Sequence, residues 1–186
     1  LVPGRIGKYG VFLYQVERKA DLMKALIATA SKHGSTAEIG GAIKEVLLEH
    51  GIGTDALEPE AVSSLHGYDF AILGSAVYAG HWLKAMRELV ERFAEELERR
   101  PVWLFSSGPI GDPPKPDEDP VDVAEITALT GARGHAVFAG KIDRSRLGFG
   151  ERAIVSALKV PEGDFRDWDE IRSWASSIVE DLQLRA

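Results

Sequence analysis

From residue 23 onward, short continuous apolar runs alternate with longer stretches in which apolar residues return every three or four positions. The runs at 25–30, 70–75, 102–105 and 136–139 have the length and composition of strands buried on both faces, and 53–57 reads as a weaker edge strand. Helical spacing fills the gaps. Ile39, Ile43, Val46 and Leu47 form one stripe, stopped by His50-Gly51, and Leu83, Met86, Val90, Phe93 and Leu97 form another, ended before Pro101. A weaker helix is expected at about 121–129, and a final one carries Ile171, Trp174, Ile178 and Leu182, with Asp167 and Glu170 spaced as a capping box.

Five strands with helices between them predict an α/β fold whose doubly wound parallel sheet has the order 2-1-3-4-5, with helices on both faces. Ligands of such sheets lie beyond the carboxyl ends of the strands. Functional residues are therefore expected in the loops 31–36, 76–82 and 106–120. Residues 1–22 stand outside the alternating pattern. Met23 directly precedes the first regular strand, so the stretch before it is expected to be an extension or a cloning remnant, although its apolar run Val11 to Tyr14 could add a strand.

At 186 residues the chain suits one domain with a single core. The formal net charge of -7 and pI near 5.3 argue against a generic nucleic-acid binder, which needs surplus Lys and Arg. Cysteine is absent, which removes disulfides, thiolate nucleophiles and iron–sulfur ligation, so redox chemistry would require an organic cofactor. No apolar run approaches the roughly 20 residues that cross a bilayer, and a cytoplasmic location is expected. The histidines show no ligand spacing, so no metal site is expected. Gly148-Phe149-Gly150-Glu151-Arg152-Ala153 matches a dinucleotide fingerprint but follows a polar stretch rather than a strand, so a glycine-started helix is the simpler reading.

The loop Ser31-Lys32-His33-Gly34-Ser35-Thr36 joins the first strand directly to a helix. Free backbone N–H groups and the helix dipole make such a junction an anion site, to which Ser31, Ser35 and Thr36 add hydroxyls and Gly34 adds close backbone approach. The spacing differs from a triphosphate loop and suits a monophosphate. The structural alternative is that Ser35 only caps the helix and Gly34 only turns the chain.

These residues resemble the flavodoxin phosphate loop, in which a hydroxyl residue, two variable positions, Gly and a final Thr wrap the phosphate of FMN. With Gly74-Ser75-Ala76-Val77-Tyr78-Ala79-Gly80-His81-Trp82 and the closing Asp167-Trp168, the chain is similar from Met23 to Leu184 to the flavodoxin-like domain family that includes menaquinone-dependent protoporphyrinogen oxidases. The resemblance implies a flavodoxin-like domain over 23–186 and FMN as cofactor. Residues 31–36 would hold the phosphate. Ala76, Val77, Tyr78, Ala79, Gly80, His81 and Trp82 would border the isoalloxazine ring on one side, and Ser106, Ser107, Gly108 and Gly111 on the other. For Trp82 and Tyr78 a core or half-buried packing role stays open, and for 106–111 ordinary turn chemistry does.

An FMN-binding oxidoreductase or electron carrier is the function this implies, with an unidentified redox partner or quinone. Two alternatives accompany it: a quinone-dependent protoporphyrinogen dehydrogenase of haem biosynthesis, and a non-catalytic flavodoxin-like binding module. Residues 141–160 carry Lys141, Arg144, Arg146, Arg152 and Lys159 on an acidic chain, beside Phe149, Ile154, Val155 and Leu158. That stretch is a candidate peripheral contact with a membrane or partner, or else a plain helical cap on the sheet.

Overall fold

The computed structural model describes residues 23–108, 119–150, 152, 156 and 162–184. The expectations for residues 1–22, for Gly111 and most of the loop 106–120, and for Ile154, Val155, Leu158 and Lys159 lie outside the described residues. In chain order the elements are β1 (Lys24–Ala30), α1 (Ser35–Glu49), β2 (Gly53–Leu57), a 3-10 turn (Pro59–Ala61), β3 (Phe70–Tyr78), β4 (His81–Trp82), α2 (Lys84–Arg92) and α3 (Ala94–Glu98). They continue with β5 (Val102–Ser107), α4 (Val121–Thr130), β6 (Gly134–Phe138), β7 (Lys141–Ile142), β8 (Gly163–Asp164) and α5 (Trp168–Leu184).

The five main strands are parallel and lie in the spatial order β2-β1-β3-β5-β6, which is the doubly wound order expected from the pattern. Because successive strand residues face opposite sides, each strand feeds two cores. Ile27, Ile72 and Phe105 pack under α1 and α5 with Ile43 and Ile178. Their neighbours Leu26, Leu73 and Leu104 pack under α2 and α4 with Met86 and Ile126.

Two glycines set the spacing on the first of these faces. In the register row Thr29, Gly74, Phe105, Ala136, the Phe105 ring leans over Gly74 so closely that a Cβ there would lie 2.0 Å from Phe105 Cζ. Phe105 also meets Trp174 at 6.1 Å and Phe138 at 5.9 Å between ring centroids, and this aromatic group closes the core beneath α5. Gly40 of α1 rests on Thr29 of β1, where a Cβ would come within 2.7 Å of Thr29 Cγ2.

Two elements differ from the pattern. The strand expected at 70–75 runs on to Tyr78, because β4 folds back and pairs with it, Val77 with Trp82 and Tyr78 with His81. The expected loop 76–82 is thus a hairpin whose two-residue turn, Ala79 at φ 51 and Gly80 at φ 81, has the twist that tight hairpins favour. The second apolar stripe is two helices, broken at Phe93, where the backbone leaves helical geometry at φ -117 and ψ 19. At the last helix, Asp167 Oδ1 accepts the backbone N–H groups of Asp169 and Glu170, so the acidic residue expected to cap does so.

The neighbouring glycines of α1 offer a matched test of the close helix seat. Gly40→Ala should destabilise the protein by about 1–3 kcal/mol, since the stiff Thr29 side chain must shift. Gly41 has nothing within 4 Å of its Cβ position, so Gly41→Ala should be neutral or stabilise by up to about 1 kcal/mol. Urea unfolding midpoints of the two variants check this, and equal shifts would contradict the seat.

Candidate functional site

At the carboxyl end of β1 the chain turns through Gly34, which is left-handed at φ 89 and ψ -16 and serves as the N-cap of α1. The Gly34 N–H donates to Ser31 Oγ at 3.0 Å, which curls residues 31–34 into a closed turn. No side chain caps the helix, so its first N–H groups keep the unmet donor capacity of any helix start. Thr36 is buried at 1% exposure. Ser35 Oγ is buried with no hydrogen-bond partner among the described residues. A buried hydroxyl without a partner costs free energy, and the reading of Ser35 as a cap does not supply one.

Two arginines hold this loop from outside. Arg146 Nη1 donates to the His33 carbonyl at 3.0 Å, and Arg166 Nη1 donates to the Ser35 carbonyl at 3.2 Å. Arg166 has a side chain only 2% exposed and is matched by a two-point contact to Asp164, Nε to Oδ1 at 2.7 Å and Nη2 to Oδ2 at 2.6 Å. It also pairs with Glu38 at 2.8 Å. The guanidinium bonds hold the Asp164 carboxyl below its ordinary 3.8, and those same bonds raise the Arg166 guanidinium above its own usual value. The sequence reading did not single out Arg166, whose contact with Ser35 spans 131 positions.

The second loop meets the first: Lys32 Nζ lies 5.4 Å from the Tyr78 ring centroid. Tyr78 is 40% exposed, and Ala79, Gly80 and His81 follow it around the hairpin turn. Ala76 and Val77 are half-buried beneath them. Trp82 is not part of the exposed rim. It is 1% exposed, its backbone N–H donates to Asp122 Oδ2 at 2.7 Å, and its indole N–H donates to Ser106 Oγ at 2.8 Å. Asp122, itself buried, also contacts His81 Nδ1 at 3.0 Å, while the Val121 N–H donates to the Gly80 carbonyl. The start of α4 therefore fixes the hairpin.

The third loop begins with buried residues. Ser106 is fully buried, Ser107 is 2% exposed, and Gly108, at φ +147, packs its Cα against Gly140 and Val77. Ser106 Oγ lies 2.8 Å from His135 Nε2, and His135 Nδ1 lies 3.1 Å from Asp119. With a neutral ring, Nδ1–H donates to Asp119 and Nε2 accepts the Ser106 hydroxyl, whose oxygen takes the Trp82 N–H. Asp119, His135 and Ser106 stand in the order of a nucleophilic triad. Yet the serine is sealed and its oxygen already accepts a bond, so the network fastens β5, β6 and the hairpin together. Asp122 and His135 also escaped the sequence reading. Each lies on a regular element, and its partners are far away along the chain.

The three loops thus converge at the carboxyl ends of β1, β3 and β5. The hydroxyls and backbone of 31–36 can hold an anion, and Tyr78 with the hairpin turn offers an aromatic and apolar border beside it. Ser106, Ser107, Gly108 and Trp82 build the wall behind. Among the described residues no group of acidic and histidine side chains is placed to hold a metal ion.

The model of the flavodoxin domain matches residues 26–169. Protoporphyrinogen IX dehydrogenase (quinone) of Escherichia coli K12 is 23% identical over 172 residues, which cover 84% of this chain and 95% of that protein. A flavodoxin from the domain Archaea superposes with a TM-score of 0.59 at 15% identity, covering 87% of this chain and 99% of its own. Rubredoxin oxygen:oxidoreductase of Desulfovibrio gigas superposes with a TM-score of 0.61 at 13% identity, covering 96% of this chain and 41% of that one.

Burial lowers the His135 pKa from its ordinary 6.5, and the nearby Asp119 offsets only part of that effect. A histidine held neutral in the fold takes up its proton more readily once unfolded, so its contribution is present above 6.5 and is lost as pH falls through the lower folded value. Unfolding free energy should therefore decline on acidification from about pH 7 to 5, and His135→Gln should flatten that decline. Parallel pH profiles for the two proteins, measured by urea unfolding, would contradict the network.

Proposed function

The chain belongs to the flavodoxin domain family, and on that premise we propose that residues 31–36 hold the phosphate of FMN in a domain spanning 23–186, with residues 1–22 outside it. One observation carries this reading. Ser35 Oγ is buried without a partner at an uncapped helix start, and a phosphate oxygen is the acceptor such a site lacks. Thr36 and Ser31 would add hydroxyls, and the left-handed Gly34 keeps the backbone open to close approach. FMN is the cofactor of this domain, and when bound it supplies a ring that accepts and returns electrons.

The remaining residues position and shield. Tyr78 and the Ala79-Gly80 turn would border the ring, held at a fixed height by Asp122 through His81 and the Trp82 N–H. Ser106, Ser107 and Gly108 would support the other side, with the Ser106 hydroxyl and the Gly108 N–H already engaged within the fold. The function is that of an FMN-binding oxidoreductase or electron-transfer protein.

A second reading, a quinone-dependent protoporphyrinogen dehydrogenase, is favoured by the Escherichia coli relative, which matches over 95% of its length. Phe149, exposed at 94% beside Arg144 and Arg152, supports a peripheral contact of residues 141–160 with a membrane or partner in that case. No described helix is long and apolar enough to cross a membrane, and a cytoplasmic protein that touches a membrane surface suits both readings.

Purified protein mixed with FMN and passed through gel filtration should emerge yellow, and titration should show FMN bound more tightly than riboflavin. Ser35→Ala should weaken FMN by about 1.5–3 kcal/mol, the worth of a hydrogen bond to a charged group, with the fold unchanged by circular dichroism. Colourless protein, or equal affinity for the two flavins, would overturn the phosphate assignment. Steady-state oxidation of protoporphyrinogen with a quinone decides the second reading.

A further inference from the structure

The two arginines on the loop differ in how closely carboxylates compensate them, one at 3.6 Å for Arg146 and two at 2.6 and 2.8 Å for Arg166. Arg166 is buried, and Asp164 and Glu38 both compensate it, so its field is largely cancelled where it stands. Arg146 is 55% exposed in its side chain, and its carboxylate neighbour, Asp143, stands at 3.6 Å from Nε. Its Nη1 reaches the His33 carbonyl and lies 3.4 Å from the position a Cβ would take on Gly34. Arg146 and Ser35, whose Oγ has no partner among the described residues, also line one cleft of about 20 Å³, together with His33, Lys141 and the carboxylates Glu38 and Asp143.

Carbonyls 33 and 35 are thus each drawn outward by a guanidinium. The N–H of the His33–Gly34 peptide is taken by Ser31 Oγ, so Arg146 and Ser31 fix that peptide from both ends. From this we propose that Arg146 is the positioning residue that makes the loop select a phosphorylated flavin. It holds the His33–Gly34 peptide and brings beside the phosphate position a positive charge that a single carboxylate, Asp143 at 3.6 Å, offsets only in part, on a chain whose net charge is -7. Arg166 supplies shape, whereas Arg146 supplies shape and field. Part of the basic segment 141–160 therefore serves the cofactor loop. This rests on the assignment of residues 31–36 to FMN phosphate, and it concerns discrimination between flavins rather than the presence of one.

The test compares FMN with riboflavin, which lacks the phosphate, on wild type, Arg146→Gln and Arg146→Lys, by quenching of flavin fluorescence at several salt concentrations. Glutamine can still donate to a carbonyl but carries no charge. Arg146→Gln should weaken FMN about tenfold, leave riboflavin unchanged, and reduce the dependence of FMN affinity on salt, since less charge remains to be screened. Arg146→Lys should restore most of the FMN preference. If wild type prefers FMN and Arg146→Gln keeps the same FMN-to-riboflavin ratio and salt dependence, the role of Arg146 is refuted while the phosphate site stands. Equal weakening of both flavins would refute it as well, by showing a general loosening of the loop. Wild type with no preference for FMN would remove the site and the inference together.

Discussion

Helix α1 can lie against β1 only because Gly40 presents no side chain to Thr29, whose Cγ2 occupies the space a Cβ would need. That contact sets the height of the helix over the sheet, and the height determines where its N-terminus meets the end of β1. On the same face Gly74 admits the Phe105 ring, and Phe105, Phe138 and Trp174 anchor α5. Arg166 stands two residues before α5 and grips the first turn of α1. The packing beneath and beside the loop 31–36 thus traces to two missing Cβ atoms.

The chemistry of the site follows from what this packing leaves unsatisfied. Most buried polar groups around the three loops have partners: Asp122 takes the hairpin, Ser106 takes Trp82 and His135, and Arg166 takes two carboxylates and a carbonyl. Ser35 Oγ and Arg87 Nε are the buried side-chain atoms without a partner among the described residues, and Ser35 stands at the start of α1, which like the starts of α2, α3 and α4 has no side-chain cap. A buried hydroxyl without a partner beside an uncapped helix start supports the reading of an anion site there. Ser106, joined by hydrogen bonds to Trp82 and His135, ties the wall behind the hairpin to β5 and β6.

Much of this was legible in the sequence because it is local. The strands at 25–30, 53–57, 70–75, 102–105 and 136–139 and the stripes of α1 and α5 are periodic over short windows, and their alternation yields the sheet order. The phosphate loop is contiguous, so its hydroxyls and glycine could be read together. What escaped depends on distant partners. Arg146 and Arg166 reach residues 113 and 131 positions away, and Asp122 reaches the hairpin across 40. Strand β3 outran its apolar run because β4 folds back on it through a turn without the usual Asn-Gly signal. Trp82 could be ring border or core on its pattern alone, and its burial and two donated hydrogen bonds place it in the core.

Ser35 Oγ, which has no partner among the described residues, is expected to find one in a phosphate. A crystal structure of the protein grown with FMN tests this most directly. A phosphate oxygen is expected within about 2.5–3.0 Å of Ser35 Oγ, at the N-terminus of α1, with Arg146 still on the His33 carbonyl. A flavin bound with its phosphate elsewhere and Ser35 Oγ still unpaired would contradict it.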